Sequence, residues 1–168
     1  MEDEDKFEDL AKRWPDLMQK SHQDYLGVGA GWYNIIDVLC SMLSSDVEQA
    51  KRQLKYAMEN ASSHSKPIAE LEADLAQALE DLPVIMQIKE KFGGLRFYVG
   101  QTSEEQQAYI RFASAMASRT CEVCGNPGEI RHTNWMKTLC DVHHREKAAA
   151  DKQFEPKKSR REVKLSYE

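Results

Sequence analysis

The sequence predicts an α+β protein: a mainly helical body that carries one β-hairpin, followed by a C-terminal zinc module. Three observations predict it. Apolar residues recur at helical spacing through most of the first 80 positions, and the period shortens to two between Pro83 and Gly100. Two ligand pairs then follow, Cys121-Glu122-Val123-Cys124 and Cys140-Asp141-Val142-His143, with fifteen residues between them. On this reading residues 1–118 are the body, with the hairpin at about 84–99, residues 119–155 are the zinc-finger module, and residues 156–168 are a flexible basic tail. A chain of 168 residues with 41% apolar content is long enough to build a core.

The first helix is expected over 4–14, where Phe7, Leu10, Ala11 and Trp14 share a face before Pro15 interrupts it. Gly27-Val28-Gly29-Ala30-Gly31 breaks the chain next. No strand precedes these glycines and their spacing does not match a dinucleotide fingerprint, so they read as a helix junction. From Trp32, Ile35, Ile36, Leu39 and Leu43 repeat at helical spacing, and Cys40 among them reads as a small buried hydrophobe. Ser44-Ser45-Asp46 offers an N-cap for a helix bearing Val47, Ala50, Leu54 and Met58, and residues 60–65 read as a polar loop. Pro67 suits a first helical turn, after which Ile68, Leu71, Leu75 and Leu79 mark an apolar face opposite an acidic one.

In the period-two segment, Val84, Met86 and Ile88 alternate with Ile85, Gln87 and Lys89, and Leu95, Phe97 and Val99 alternate with Arg96 and Tyr98. Phe92-Gly93-Gly94 lies between the two runs. Two strands alone are marginal in water, so one face should pack on the helices, with the hairpin of the zinc module extending the sheet. The other face carries Lys89, Arg96 and Tyr98, a mixture of cations and an aromatic ring suited to an acidic partner or a stacked base. Ser103 and Gln106 then form a capping box for a helix whose apolar face is Tyr109, Phe112, Ala113 and Met116. That helix runs directly into Cys121, a connection short enough to hold the zinc module against the body.

Paired ligands two residues apart, separated by a stretch that can return the chain, suit one tetrahedral zinc ion. Cys121, Cys124, Cys140 and His143 are the expected ligands of one structural Zn²⁺ per chain; Cys140 and His143 lie three apart at a helix start, and His144 is the rival fourth ligand. A thioredoxin-like redox pair is disfavoured because Gly125-Asn126-Pro127-Gly128, a turn sequence, follows the first pair. The N-terminus Met-Glu-Asp-Glu-Asp lacks a signal-peptide pattern and no apolar run approaches a membrane span, so the chain reads as cytoplasmic, without a membrane partner. Residues 119–168 hold eleven Lys plus Arg against eight Asp plus Glu, whereas residues 1–118 hold twelve against twenty. An acidic body repels a duplex at long range, which leaves the finger and the tail cluster Lys157-Lys158-Ser159-Arg160-Arg161 as the elements able to engage nucleic acid.

The order knuckle, hairpin and ligand-bearing helix resembles the treble-clef class of zinc fingers. The stretch from Leu139 to Lys147, with His132 and Asn134, resembles the closing part of HNH endonucleases, but the spacing differs. Trp135 before the second pair, together with the basic extension, resembles GATA-type fingers, with a shorter insert and a histidine as last ligand. The combination of Lys89-Glu90-Lys91-Phe92-Gly93-Gly94-Leu95-Arg96-Phe97-Tyr98 with the two ligand pairs resembles a set of small uncharacterised proteins of bacteria and their phages, over roughly residues 84–144. That resemblance implies a shared hairpin, helix and finger and no catalytic residue; a phage or prophage origin would favour a host-directed binding or regulatory role. The functional expectation is a zinc-stabilised, non-enzymatic interaction or regulatory protein. Its partner, a protein or nucleic acid, would be met by Lys89, Arg96 and Tyr98 on the hairpin and by Arg131, Trp135 and Lys137 on the finger. A DNA-binding regulator and a metal-dependent HNH-like nuclease are the alternatives.

Overall fold

The structure is a computed structural model that describes residues 2–18, 26–60, 65–132 and 135–153. Six α-helices are distributed along it: α1 Glu2–Arg13, α2 Tyr33–Leu43, α3 Ser45–Glu59, α4 Ile68–Glu80, α5 Glu104–Ala117 and α6 Asp141–Gln153. Five strands complete it: β1 Leu26–Gly27, β2 Ile85–Lys91, β3 Gly94–Val99, β4 Glu129–Arg131 and β5 Lys137–Leu139. The architecture is α+β, as expected. The predicted tail at 156–168 lies outside the described residues, as do Asn134 and the loop at 61–64.

The core gathers where α1, α2 and α5 cover one face of the β2–β3 hairpin. Trp32, Ile36, Leu39 and Cys40 come from the start and inner face of α2, Leu10 and Leu17 from α1 and its continuation, Ile88, Leu95 and Phe97 from the hairpin, and Ala113 and Ala117 from α5. The leucine, isoleucine and phenylalanine side chains among them, removed almost completely from water, each contribute roughly 1.5–3 kcal/mol of hydrophobic stabilisation. Cys40 is fully buried in this cluster, and burial, with the Asp37 charge adding to it, pushes its thiol up to about 12. The α1–α2 seam is pinned by polar bonds: Arg13 Nη1 and Trp14 Nε1 both donate to Asp37, at 2.7 and 2.8 Å, and Tyr33 Oη donates to Asp9 at 2.8 Å.

Three helical details depart from the periodicity reading. Ser44 alone separates α2 from α3, and its side chain, 5% exposed, makes no capping bond. On α3 the inward face is Val47, Ala50 and Ala57, while Met58 points to solvent; on α4 only Leu71 is fully buried, with Ile68 and Leu79 exposed at either end. On α5 the capping box is present as expected, with Gln106 N donating to Ser103 Oγ at 3.1 Å and Ser103 N to Gln106 Oε1 at 2.9 Å. Its buried stripe, however, is Ile110, Ala113 and Ala117, whereas Phe112 and Met116 stand exposed. Small residues win the inner face because α5 lies close against the core, where alanines permit approach and a phenyl ring would not fit.

The sheet differs from the expectation in two ways. It has a third strand, β1, paired parallel to β2 with Leu26 opposite Ile88 and Gly27 opposite Lys89, so the glycine segment begins on the sheet. The β2–β3 register also shifts between Ile85 and Gln87, leaving Met86 with no partner. The bulge inverts the alternation: Ile85 and Ile88 both face the core, and Met86, expected inward with Ile88, is 57% exposed. The hairpin of the zinc module forms its own two-stranded sheet, β4–β5, and does not extend the first one.

Candidate metal centre at the junction of three loops

The two ligand pairs converge as their spacing predicts. His143 Nδ1 lies 3.5 Å from Cys121 Sγ and 3.3 Å from Cys140 Sγ, Cys124 Sγ lies 3.9 Å from Cys140 Sγ, and all four donor atoms fall within 4.8 Å of one another. Donors about 2.0–2.3 Å from a common tetrahedral centre sit roughly 3.3–3.8 Å apart, so the cluster fits one ion. Cys140 and the first turn of α6 place His143 toward the thiols, with its outer Nε2 facing Glu146 Oε2 at 3.8 Å. His144, the rival ligand, is not in the cluster; its backbone N–H donates to Cys140 O, and its ring Nδ1 is buried without a hydrogen-bond partner.

Backbone donors prepare the thiols for a metal. The N–H of His143, together with the His143 ring and the neighbouring thiols, brings Cys140 down to about 6. At Cys121 burial pushes the thiol up, but the N–H groups of Cys140, Cys124 and Val123 outweigh it and the net direction is down. Cys124 moves the other way: the Asn126 N–H lowers it, but burial and the adjoining Cys121 and Cys140 thiols prevail and raise it, which suits a thiol whose proton is released to solvent when a metal ion takes its place.

The knuckle around Cys121 to Cys124 is seated on the body by the glycine segment. Gly31 N donates to Glu122 O at 2.8 Å, and the buried Trp32 reaches across with Nε1 to Thr120 O at 2.7 Å. A Cβ at Gly31 would stand 2.1 Å from Cys121 O and 2.5 Å from Gly125 N, and one at Gly29 would stand 2.1 Å from Glu122 O. Backbone meets backbone here with no room for a side chain. The glycines read from sequence as a helix junction thus serve as the socket for the metal knuckle.

The tip of the β2–β3 hairpin closes the third side. Thr138 on β5, fully buried, donates from Oγ1 to Gly93 O at 2.5 Å, and a Cβ on Gly93 would meet Ile130 Cγ2 at 3.3 Å. Phe92 and Gly93 form the two-residue loop, with φ values of 54° and 74°. Both positive, they follow the primed-turn pattern that matches strand twist, and a bulky aromatic residue in that region is uncommon. Under the tip, Lys137 Nζ bridges Glu122 Oε1 at 2.5 Å and Glu90 Oε2 at 3.1 Å, both carboxylates only 7% exposed. Glu90 also accepts from Gly93 N through its other oxygen, at 2.7 Å. Burial raises the Glu122 carboxyl, and with Glu90 sharing the same ammonium, Lys137 offsets this only in part. Burial alone would lower Lys137, but its bonds to Glu122 and Glu90 hold it above the ordinary range.

The six residues expected to meet a partner fall into two groups. Lys89 and Arg96 are directly opposite in the β2–β3 register and Tyr98 follows two positions on, so these three share the outer face of the hairpin, with Lys89 Nζ 5.3 Å from the Tyr98 ring. Trp135 is 66% exposed and lies on the opposite side of the sheet, its Nε1 3.5 Å from Glu90 Oε2. Lys137 is committed to the buried bridge, and Arg131 to ion pairs with Glu129 and Asp141 and a bond to Leu139 O. Sequence reasoning overlooked the glycine socket, Glu90, Glu122 and Thr138, because each acts through residues 15 to 94 positions away; the positive φ at Phe92 was foreshadowed only by the glycine beside it. Among the described residues no helix is long and apolar enough to cross a membrane. The chain matches no protein-family model, no curated protein and no solved structure.

Proposed function

We propose that this chain is a non-enzymatic interaction or regulatory protein, held in shape by one structural Zn²⁺ in a treble-clef-like finger. The observation that carries this reading is the closed donor set, three thiols and one imidazole, placed where the glycine segment, the hairpin tip and the finger meet. Three cysteines and a histidine suit zinc and fill all four tetrahedral positions, which leaves none for a substrate or a reactive water. An ion in that place ties the knuckle to the start of α6, and the knuckle is itself seated on the glycine segment of the body, so the ion's binding energy is folding energy.

What remains outside the riveted junction is an aromatic and cationic surface. Phe92 at the tip is 62% exposed with Lys91 Nζ 5.3 Å from its ring, and Trp135, Tyr98, Lys89 and Arg96 are presented on the two sides of the same hairpin. A bulky residue kept at positive φ on an exposed tip favours a recognition role, because nothing in its packing repays the conformation. A partner protein or a nucleic acid would meet these groups.

Elemental analysis of the purified protein, with thermal unfolding in the presence and absence of chelator, tests the zinc reading. One zinc per chain, lost with cooperative melting in His143→Ala but retained in His144→Ala, is expected; a metal-free protein that melts cooperatively overturns it. The surface is tested with Arg96→Ala/Trp135→Ala in binding to a labelled single-stranded oligonucleotide and to partners captured by crosslinking. Loss of binding at full zinc content is expected, and unchanged binding to every partner removes this surface from the reading.

A further inference from the structure

The outer face of the β2–β3 hairpin breaks the charge pattern of the rest of the chain. Lys89, Lys91 and Arg96 stand on it with Gln87 and Tyr98, and no carboxylate of either strand joins them, because Glu90 turns inward to Lys137. Among the described residues none of these three cations makes an ion pair, whereas Lys51, Lys66 and Lys137 each reach two carboxylates. In a chain of net charge −5, three uncompensated cations on one strand pair make a local positive field that selects an anionic partner.

The rings on the same hairpin decide which anion. Tyr98 is 43% exposed with Lys89 Nζ 5.3 Å from its ring, and the exposed Phe92 has Lys91 Nζ at 5.3 Å. Each ring is thus coupled to one cation, and at an exposed site that contact is weak enough for the ammonium to move from the ring to a phosphate. Glycines keep the face low beside these groups. Gly27 on β1 lies next to Lys89 and leaves room for a flat ring, and Arg96 lies over Gly94, its Nη1 3.4 Å from where a Cβ would stand. Its planar guanidinium there can stack on a base or grip a phosphate. An acidic peptide would engage the cations and leave the rings idle, whereas cations alternating with rings match a strand that alternates phosphates with bases. A duplex hides its base faces, and the acidic body repels its dense charge.

We infer that the outer face of this hairpin binds single-stranded nucleic acid, with bases stacked on Tyr98 and Phe92 and phosphates held by Lys89, Lys91 and Arg96. The inference rests on the reading of the chain as an interaction protein and names its partner.

Fluorescence anisotropy of labelled oligothymidine and oligouridine of about 12 nucleotides, titrated with the zinc-loaded full chain over a salt series, provides the test. Binding that weakens with salt is expected, and the two oligomers tell DNA from RNA. Lys89→Gln/Arg96→Gln should flatten the slope of log affinity against log salt by about 1.4, at about 0.7 for each phosphate contact on a single strand; contacts made by other cations cancel in this difference. Tyr98→Ala should lower affinity about tenfold or more with the slope unchanged, while Tyr98→Phe, which keeps the ring, should stay within about threefold of wild type. Zinc content and melting should match wild type in all these variants, since each altered side chain projects from the outer face. Absence of binding at low salt overturns the inference, as does an affinity indifferent to Tyr98→Ala, or equal competition by a duplex of the same length or by polyglutamate. A protein crosslinked through this face in an Arg96-dependent manner, with neither oligomer bound, would overturn the nucleic-acid assignment and leave the wider interaction reading standing.

Discussion

Replacing Gly31 by alanine should uncouple the metal knuckle from the body, and the structure gives the size of the effect. The added Cβ would lie 2.1 Å from Cys121 O, 2.5 Å from Gly125 N and 2.8 Å from Cys124 N. All three are backbone atoms, so no rotamer change relieves the clash, and the knuckle must move by more than 1 Å to restore ordinary contact at about 3.4 Å or beyond. That displacement breaks Gly31 N to Glu122 O and Trp32 Nε1 to Thr120 O, each worth about 1 kcal/mol. Overpacking strain adds about 1–3 kcal/mol, for a total of about 3–5 kcal/mol. Urea unfolding followed by tryptophan fluorescence reads the stability, and zinc release to a chromogenic chelator reads the knuckle. Gly27→Ala is the matched control, since its Cβ would meet only Lys89 Cβ at 3.6 Å, an ordinary contact; it should cost no more than about 1 kcal/mol. If Gly31→Ala unfolds within 0.5 kcal/mol of wild type, taken as roughly the measurement limit, and releases zinc no faster, the socket argument is wrong.

Other substitutions probe other parts of the same construction. Lys137→Met leaves the Glu90 and Glu122 carboxylates buried without their shared cation and should cost about 3–5 kcal/mol, readable by thermal or urea unfolding; a loss below 1 kcal/mol would mean that solvent reaches the pair. Phe92→Asn should raise stability by about 0.5–1 kcal/mol by placing Asn-Gly in a loop whose residues both have positive φ, while weakening binding of any partner that uses the tip. Met86→Lys should change stability by less than about 0.5 kcal/mol, and Ile88→Lys should prevent folding; equal damage from both would place Met86 inside and remove the bulge. Cys40 should resist alkylation at pH 8 in the native protein, its buried thiol titrating near about 12, and react only after unfolding; rapid modification of the folded chain would show that α2 opens.

The helices and the ligand set were legible because their determinants are local. A helix needs only a periodic apolar stripe and its caps, and four metal ligands two and fifteen residues apart need only short turns between them. Errors arose where a residue's environment depends on distant chain. The expected α5 face, Tyr109, Phe112, Ala113 and Met116, satisfied the helical period as well as the buried stripe Ile110, Ala113 and Ala117 did; Ala113 belongs to both, and only the close approach of α5 to the core turns Phe112 and Met116 outward. One unpaired residue at Met86 reverses which side of β2 faces inward, and a bulge has no marker in period-two patterning.

Local chemistry by itself determined that this chain is α+β, that its helices fall where they do, and that Cys121, Cys124, Cys140 and His143 come together, because each of those outcomes depends on neighbours a few residues away or on a short returning turn. The tertiary structure alone decided that Gly29 and Gly31 form the seat of the knuckle, that Lys137 is consumed by two buried carboxylates, and that Phe112 faces outward. Those outcomes depend on the volume and charge that remote segments bring to a shared site, and the same glycine, lysine or phenylalanine is compatible with either environment until the rest of the chain arrives.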